Sequence, residues 1–306
     1  MKVVKEIFDH ILHELGLSTI FLSIQSANHR SLLKAHDSIH EFLYLAGLCL
    51  PPNTSWHRHS AFLFYHYAAY IQAHRSLYEA LAGCYNSANI LLRGVLEGLI
   101  KGALLECLAH KEFRENAKVI EKKVKASFEI EPSGPKEKKT ILDWIEEQIK
   151  AKPCLETELE EISLSIFDRT SRLPEDREFR RLIPSPYVIT QQLAEWGKIS
   201  PFSCKEIYEI YGFLSSEVHV IPEKIDIGRR LLREKVLFDI TVIPEELESY
   251  LNLLHKIMDV GIVLELNMLS DWISQYEVKK KLKERLGVLR DLELEKSFQK
   301  LSEVVG

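Results

Sequence analysis

The chain is short of the residues that interrupt helices. Its 306 residues include 13 glycines and 11 prolines, below the usual ~7% and ~5%. A many-stranded sheet needs turn signals every few residues, so the all-β classes are excluded and long helices are favoured. Cysteine is sparse too. Cys49, Cys84, Cys107, Cys154 and Cys204 are widely spaced, odd in number and free of any C-x-x-C pair. That argues against a disulfide framework or a thiolate zinc site and for a reducing cytoplasm. No run reaches the ~20 uncharged apolar residues of a membrane span; the most apolar stretch, 88–108, carries Arg93, Glu97, Lys101 and Glu106. The start, MKVVKEIFDHILHELG, lacks the apolar core of a secretory signal. Neither sign of charge dominates: 40 Lys and Arg stand against 45 Asp and Glu, net −5. That balance argues against coating of nucleic acid by bulk charge, while a local basic patch stays open. G-x-x-x-x-G-K-[ST], G-x-G-x-x-G and G-x-S-x-G are all absent, so P-loop, dinucleotide and hydrolase chemistry has no support and no cofactor is expected.

What is present is a folded, helix-patterned composition, 46% apolar and 28% charged, in the range of globular proteins. Lys and Glu are abundant while Asn and Gln are few, a thermophile-like bias. Apolar residues from Ser60 to Leu81 recur at three- and four-residue steps, and a second such run follows Gly83 from Tyr85 to Leu108. Together they predict an antiparallel helical hairpin. Glu6–Leu15 and Ser31–Leu50 read as helices upstream, the latter stopped by Pro51-Pro52. Lys136–Lys150 and Thr157–Phe167 read as short peripheral helices inside a charged insertion at about 111–186. Ser185-Pro186 starts another helix that stops at Gly197, and Ser203-Cys204-Lys205-Glu206 reads as a capping box for a helix running to His219. Branched residues near 229–242 suggest a short β-ribbon. Pro244–Leu286 reads as one long helix, and the tail shows Leu282, Leu286, Leu289, then Leu294, Phe298, Leu301 and Val305 on a narrow stripe. The expected architecture is an all-α multi-helix bundle, a single domain over 1–270 with a C-terminal helical arm over 271–306. The arm's stripe suggests a homodimer paired through these C-terminal helices.

The segment LLRGVLEGLIKG is apolar on every side of its helix, which places it in the centre of the bundle. Gly94, Gly98 and Gly102 share one face at four-residue spacing, each costing up to ~1 kcal/mol against alanine. A close helix crossing on that face would offset the cost. Arg93, Glu97 and Lys101 form an adjacent i, i+4, i+8 stripe. On a surface this is a weak ion pair; inside a bundle a buried arginine and glutamate need further polar partners. Tyr211, Ser215 and His219 offer them, again at i, i+4, i+8.

YNSANILLRGVLEG followed downstream by YGFLSSEVHVIP resembles an uncharacterised family of prokaryotic helical proteins carrying an arginine–glutamate helix and a Tyr-x3-Ser-x3-His helix. That family is in turn similar to the HEPN helical proteins, among which are metal-independent ribonucleases and nucleotide-binding modules of toxin–antitoxin and antiviral defence systems. The resemblance makes Arg93, Glu97, Tyr211, Ser215 and His219 the candidate catalytic residues. His219 would act as base toward an RNA 2′-hydroxyl, Arg93 would hold a phosphate, Glu97 would orient Arg93, and Tyr211 or Ser215 would position the substrate. The HEPN nuclease motif itself, an arginine and a histidine four to six residues apart, has a match at Arg30-Ser31 and His36.

Metal binding is a second reading. His36 and His40 lie at i, i+4, and His59, His66 and His74 recur about every two turns, so each set suits one helix face. H-E-x-x-H and E-x-x-H are absent, and the expectation is no metal. The basic runs at 229–233 and 279–283 alternate with leucines as solvated helix faces do. Two functions stand side by side: a HEPN-like protein acting on RNA or a nucleotide, and a non-catalytic helical module for a partner protein whose polar stripes fix helix register.

Overall fold

The computed structural model describes residues 17–50, 60–108, 183–218, 243–273 and 276–306. Among these every regular element is an α-helix. In chain order they are α1 (Leu17–Ser26), α2 (His29–Cys49), α3 (Ala61–Leu81), α4 (Tyr85–Leu108), α5 (Pro186–Glu195), α6 (Pro201–Val218), α7 (Pro244–Met268), α8 (Ser270–Ile273), α9 (Tyr276–Lys283), α10 (Leu286–Asp291) and α11 (Glu295–Val305). The expected ribbon near 229–242, the helices over 6–15, 136–150 and 157–167, and nearly all of the 111–186 insertion lie outside the described residues.

The α3–α4 hairpin is the most extensive helix pairing, and α4 is also packed by α5, α6 and α7. That encirclement is why its sequence is apolar all round: from Leu99 to Leu108 every residue except Lys101 is buried. The hairpin turns at Gly83, whose φ of 81° is the left-handed conformation a side chain resists. There Cys84 N donates to Glu79 O and Gly83 N to Ala80 O, which closes the end of α3. The glycine face of α4 meets α3. A Cβ at Gly102 would stand 2.8 Å from Cβ of Tyr65, and one at Gly94 2.8 Å from Oε1 of Gln72. The close crossing inferred from the glycine spacing is thus made with the other arm of the hairpin.

Two helices start earlier than their sequence signals suggest. Asn28, not Ser31, caps α2 by accepting from the backbone N–H of Arg30 and Ser31. For α6, Ser200 Oγ accepts from Ser203 N at 3.0 Å, so the cap lies three residues before the capping box. The long helix expected over Pro244–Leu286 ends at Met268 and gives way to α8, α9 and α10. This break folds the tail back. Leu282, Leu289, Leu294 and Leu301 have no exposed surface, and α11 packs on α7, α9 and α10 while α9 packs on α2. Much of the stripe that suggested a dimer seam is thus packed within the chain, while Leu286, Phe298 and Val305 stay partly exposed. Among the described residues no helix is long and apolar enough to cross a membrane.

Candidate functional site

Where α4 passes α6, the two polar stripes meet. Arg93 donates through Nε to Glu97 Oε1 at 2.8 Å and through Nη2 to Tyr211 Oη at 2.9 Å. Its guanidinium lies 5.1 Å from the Tyr211 ring centroid. Lys101 Nζ donates to Glu97 Oε2 at 2.9 Å, and Tyr211 Oη donates to Glu97 Oε1 at 3.2 Å. One carboxylate thus gathers a guanidinium, an ammonium and a phenol. Burial pushes the Glu97 carboxyl up, but hydrogen bonds and charge from Lys101 and Arg93 outweigh it and hold the pKa below the ordinary value. Burial likewise opposes the charge on Arg93, and Glu97 and Tyr211 override it. The cluster thus sets two basic side chains against one carboxyl group.

The cluster is neither sealed nor open. Arg93, Glu97 and Lys101 keep 20%, 21% and 27% of their side-chain surface, which places them at the rim of the seam. Tyr187, 43% exposed at the start of α5, stands edge-on to Tyr211 with ring centroids 5.3 Å apart, and 5.0 Å from Tyr208. Phe202 and Phe213, both on α6, are also exposed. One turn beyond Tyr211, Ser215 Oγ is buried without a hydrogen-bond partner among the described residues, and one turn before Arg93 the same is true of Asn89 Oδ1. Buried polar atoms are nearly always paired, so each stripe holds bonding capacity that the seam does not use.

Of the predicted residues, Arg93, Glu97 and Tyr211 are joined by direct bonds, and Ser215 lies on the same helix as Tyr211 without joining their network. His219 lies outside the described residues. Lys101 belongs to the cluster, as its stripe position indicated, while Tyr187 and Asn89 were missed. Asn89 continues the four-residue spacing and was legible; Tyr187 comes from another helix and carries no local signal. Arg30 and His36 are engaged separately. Arg30 pairs with Glu293 and His36 with Asp37, as expected for residues six apart on a helix, which face about 120° away from each other. His66 is buried between the Phe42 carbonyl and Glu265, 3.0 Å from each, so it shares no ligand face with His74. On α9, Lys280, Lys281 and Lys283 are exposed around a buried Leu282, which is a solvated face. No known protein family, curated protein or solved structure matches the chain.

Proposed function

We propose that this chain is a HEPN-like nucleic-acid-associated protein that holds single-stranded RNA, or a nucleotide, at the α4–α6 seam. The observation that carries the reading is the linked array of Arg93, Tyr211 and half-exposed Tyr187. It sets a fixed cation for a phosphate beside an aromatic face for a base, the pairing single-stranded recognition uses. The unspent hydroxyl of Ser215 and carbonyl of Asn89 add support, because a purely structural polar network is complete. Ribonuclease action, as part of a defence or toxin system, is the sharper form of the proposal and requires His219 as base.

The test is fluorescence anisotropy with a short single-stranded RNA over a salt series, paired with a cleavage assay in chelator. Tyr187→Ala, at an exposed position, is expected to weaken binding about tenfold, in line with ~1–3 kcal/mol per stacked base. Arg93→Ala should weaken it similarly and lower the salt slope by about one. Loss of cleavage in His219→Ala with binding intact would support the enzymatic form. Indistinguishable binding by wild type and both variants sinks the proposal.

A second reading has its own observation: Glu97 receives three donors, as a device for helix register does. On that reading the chain is a partner-protein module, Arg93→Ala lowers thermal stability, and Tyr187→Ala leaves RNA behaviour untouched.

A further inference from the structure

Neutral imidazole is abundant at pH 7 and is a strong ligand for transition metals. His36 and His40 lie one turn apart on α2, and α3 brings His74 beside them. Nε2 of His40 is 3.2 Å from Nε2 of His36 and 3.4 Å from Nε2 of His74. The far nitrogens of the two outer rings are committed. Nδ1 of His74 faces the Tyr70 carbonyl oxygen at 3.2 Å and Nδ1 of His36 faces the Asp37 carboxylate at 2.8 Å. Each acceptor requires the proton on Nδ1, so each neutral ring presents a bare lone pair at Nε2. Between those lone pairs sits the Nε2 of His40. If it carries a proton, that proton serves one neighbour and leaves the other facing it; if it does not, three lone pairs converge.

The geometry points to a site for one divalent transition-metal ion of the zinc class, bound by Nε2 of His36, His40 and His74. Two imidazole nitrogens on one tetrahedral zinc, each at about 2.0–2.1 Å, stand about 3.4 Å apart, the separations seen on both sides of His40. Asp37 and the Tyr70 carbonyl already occupy the outer positions that orient metal-bound histidines. Among the described residues no three donors yet surround a common point: the His36 and His74 ring centroids are 6.4 Å apart. His36 and Asp37 keep 48% and 42% of their side-chain surface, so closing that edge requires the hydrogen-bonded pair to turn together toward His74. The fourth position would face solvent near a cavity of about 720 Å³ whose lining includes His40, Asp37 and Arg285.

The test uses the full chain made without a histidine tag, stripped with chelator, titrated with Zn²⁺ by calorimetry and with Co²⁺ as a spectroscopic stand-in. Expected are a Zn²⁺ site that depends on this trio and the absorption of tetrahedral Co²⁺. His40→Ala and His74→Ala should each weaken that site by more than about 100-fold and abolish the Co²⁺ band, and Asp37→Asn by about tenfold. His29→Ala, at an exposed position on the same helix, is the control and should change nothing. Circular dichroism checks that each variant is folded. Wild-type stoichiometry and affinity in both His40→Ala and His74→Ala would put the ion elsewhere, and no binding by wild type would remove the site; either result overturns the inference. The outcome is independent of the RNA reading, whose cleavage assay contains chelator and whose variants lie at other residues.

Discussion

Glu265 has no exposed surface; Oε2 of its carboxyl group lies 3.0 Å from His66 Nε2, while Oε1 is buried with no hydrogen-bond partner among the described residues. Burial above all, opposed by His66 and reinforced by Glu41, pushes its pKa up to about 7 from 4.5. A carboxyl raised on folding binds its proton more tightly in the native state than in the unfolded one. Its contribution to stability is therefore complete below about pH 4.5 and is lost as pH rises through about 7. A shift of this size corresponds to something on the order of 3 kcal/mol. Glu265→Gln keeps an acceptor for His66 and removes the titration. The variant is expected to lose this decline, so that the wild-type urea midpoint minus that of the variant falls between about pH 5 and 8 and the variant is the more stable of the two at the upper end. A difference that does not fall over this range would show that Glu265 keeps its ordinary pKa. The buried Cys49 thiol is raised well above its usual value, by burial first and then by Glu265, so it is expected to resist alkylation in the native state.

At the scale of helices, the glycine face of α4 separates propensity from packing. Gly98→Ala meets only Tyr65 Cδ1 at 3.7 Å, an ordinary contact, and should gain up to ~1 kcal/mol of helix propensity. Gly94→Ala meets the mobile end of Gln72, which can turn aside, and should be near neutral. Gly102→Ala drives a methyl against Tyr65 Cβ, which cannot move without its backbone, and should cost about 1–3 kcal/mol despite the better propensity. Thermal unfolding of the three variants checks the order; equal effects would mean that α3 and α4 are less closely packed at Gly102 than its 2.8 Å approach to Tyr65 implies. Much of this was legible in the sequence. The 3.6-residue period located the hairpin, the all-round apolar helix and the stripes that meet at Arg93 and Tyr211, because these properties belong to single helices. Helix starts were misplaced by two or three residues because Asn28 and Ser200 outcompete the serines that follow them. Groupings drawn from separate elements, such as His74 with His36 and His40, or Tyr187 with Tyr211, leave no periodic trace. His66 and His74 share a spacing that looked meaningful and have unrelated surroundings.

Across the whole molecule, distant segments are tied by buried carboxylates that finish helices they do not belong to. Glu106, near the end of α4, accepts from Phe62 N and Ser60 Oγ, both at 3.0 Å, and so completes the start of α3. Asp259, in the middle of α7, accepts from Lys296 N at 3.2 Å and Ser297 N at 2.9 Å and also bonds Ser297 Oγ. The N-cap residue of α11 is Leu294, which has no side-chain acceptor to offer. Negative charge at a helix start also favours the dipole. This is how a tail that looks like a separate arm becomes part of the body: its apolar stripe lies on α7, α9 and α10, and its first turn is capped from α7. Asp259→Ala strands two backbone donors, while the Ser297 hydroxyl keeps the carbonyl oxygen of residue 259 at 3.0 Å, and is expected to cost about 2 kcal/mol, at the upper end for a lost cap. Its signature is local. Hydrogen exchange in α11 should accelerate strongly, while the α3–α4 hairpin, which makes no use of Asp259, keeps its protection relative to the lowered global stability. Leu301→Ala, which removes packing and spares the cap, should cost about 2–5 kcal/mol and loosen the same helix. If α11 keeps wild-type protection in Asp259→Ala, the stripe alone holds the tail and the carboxylate is incidental to its docking.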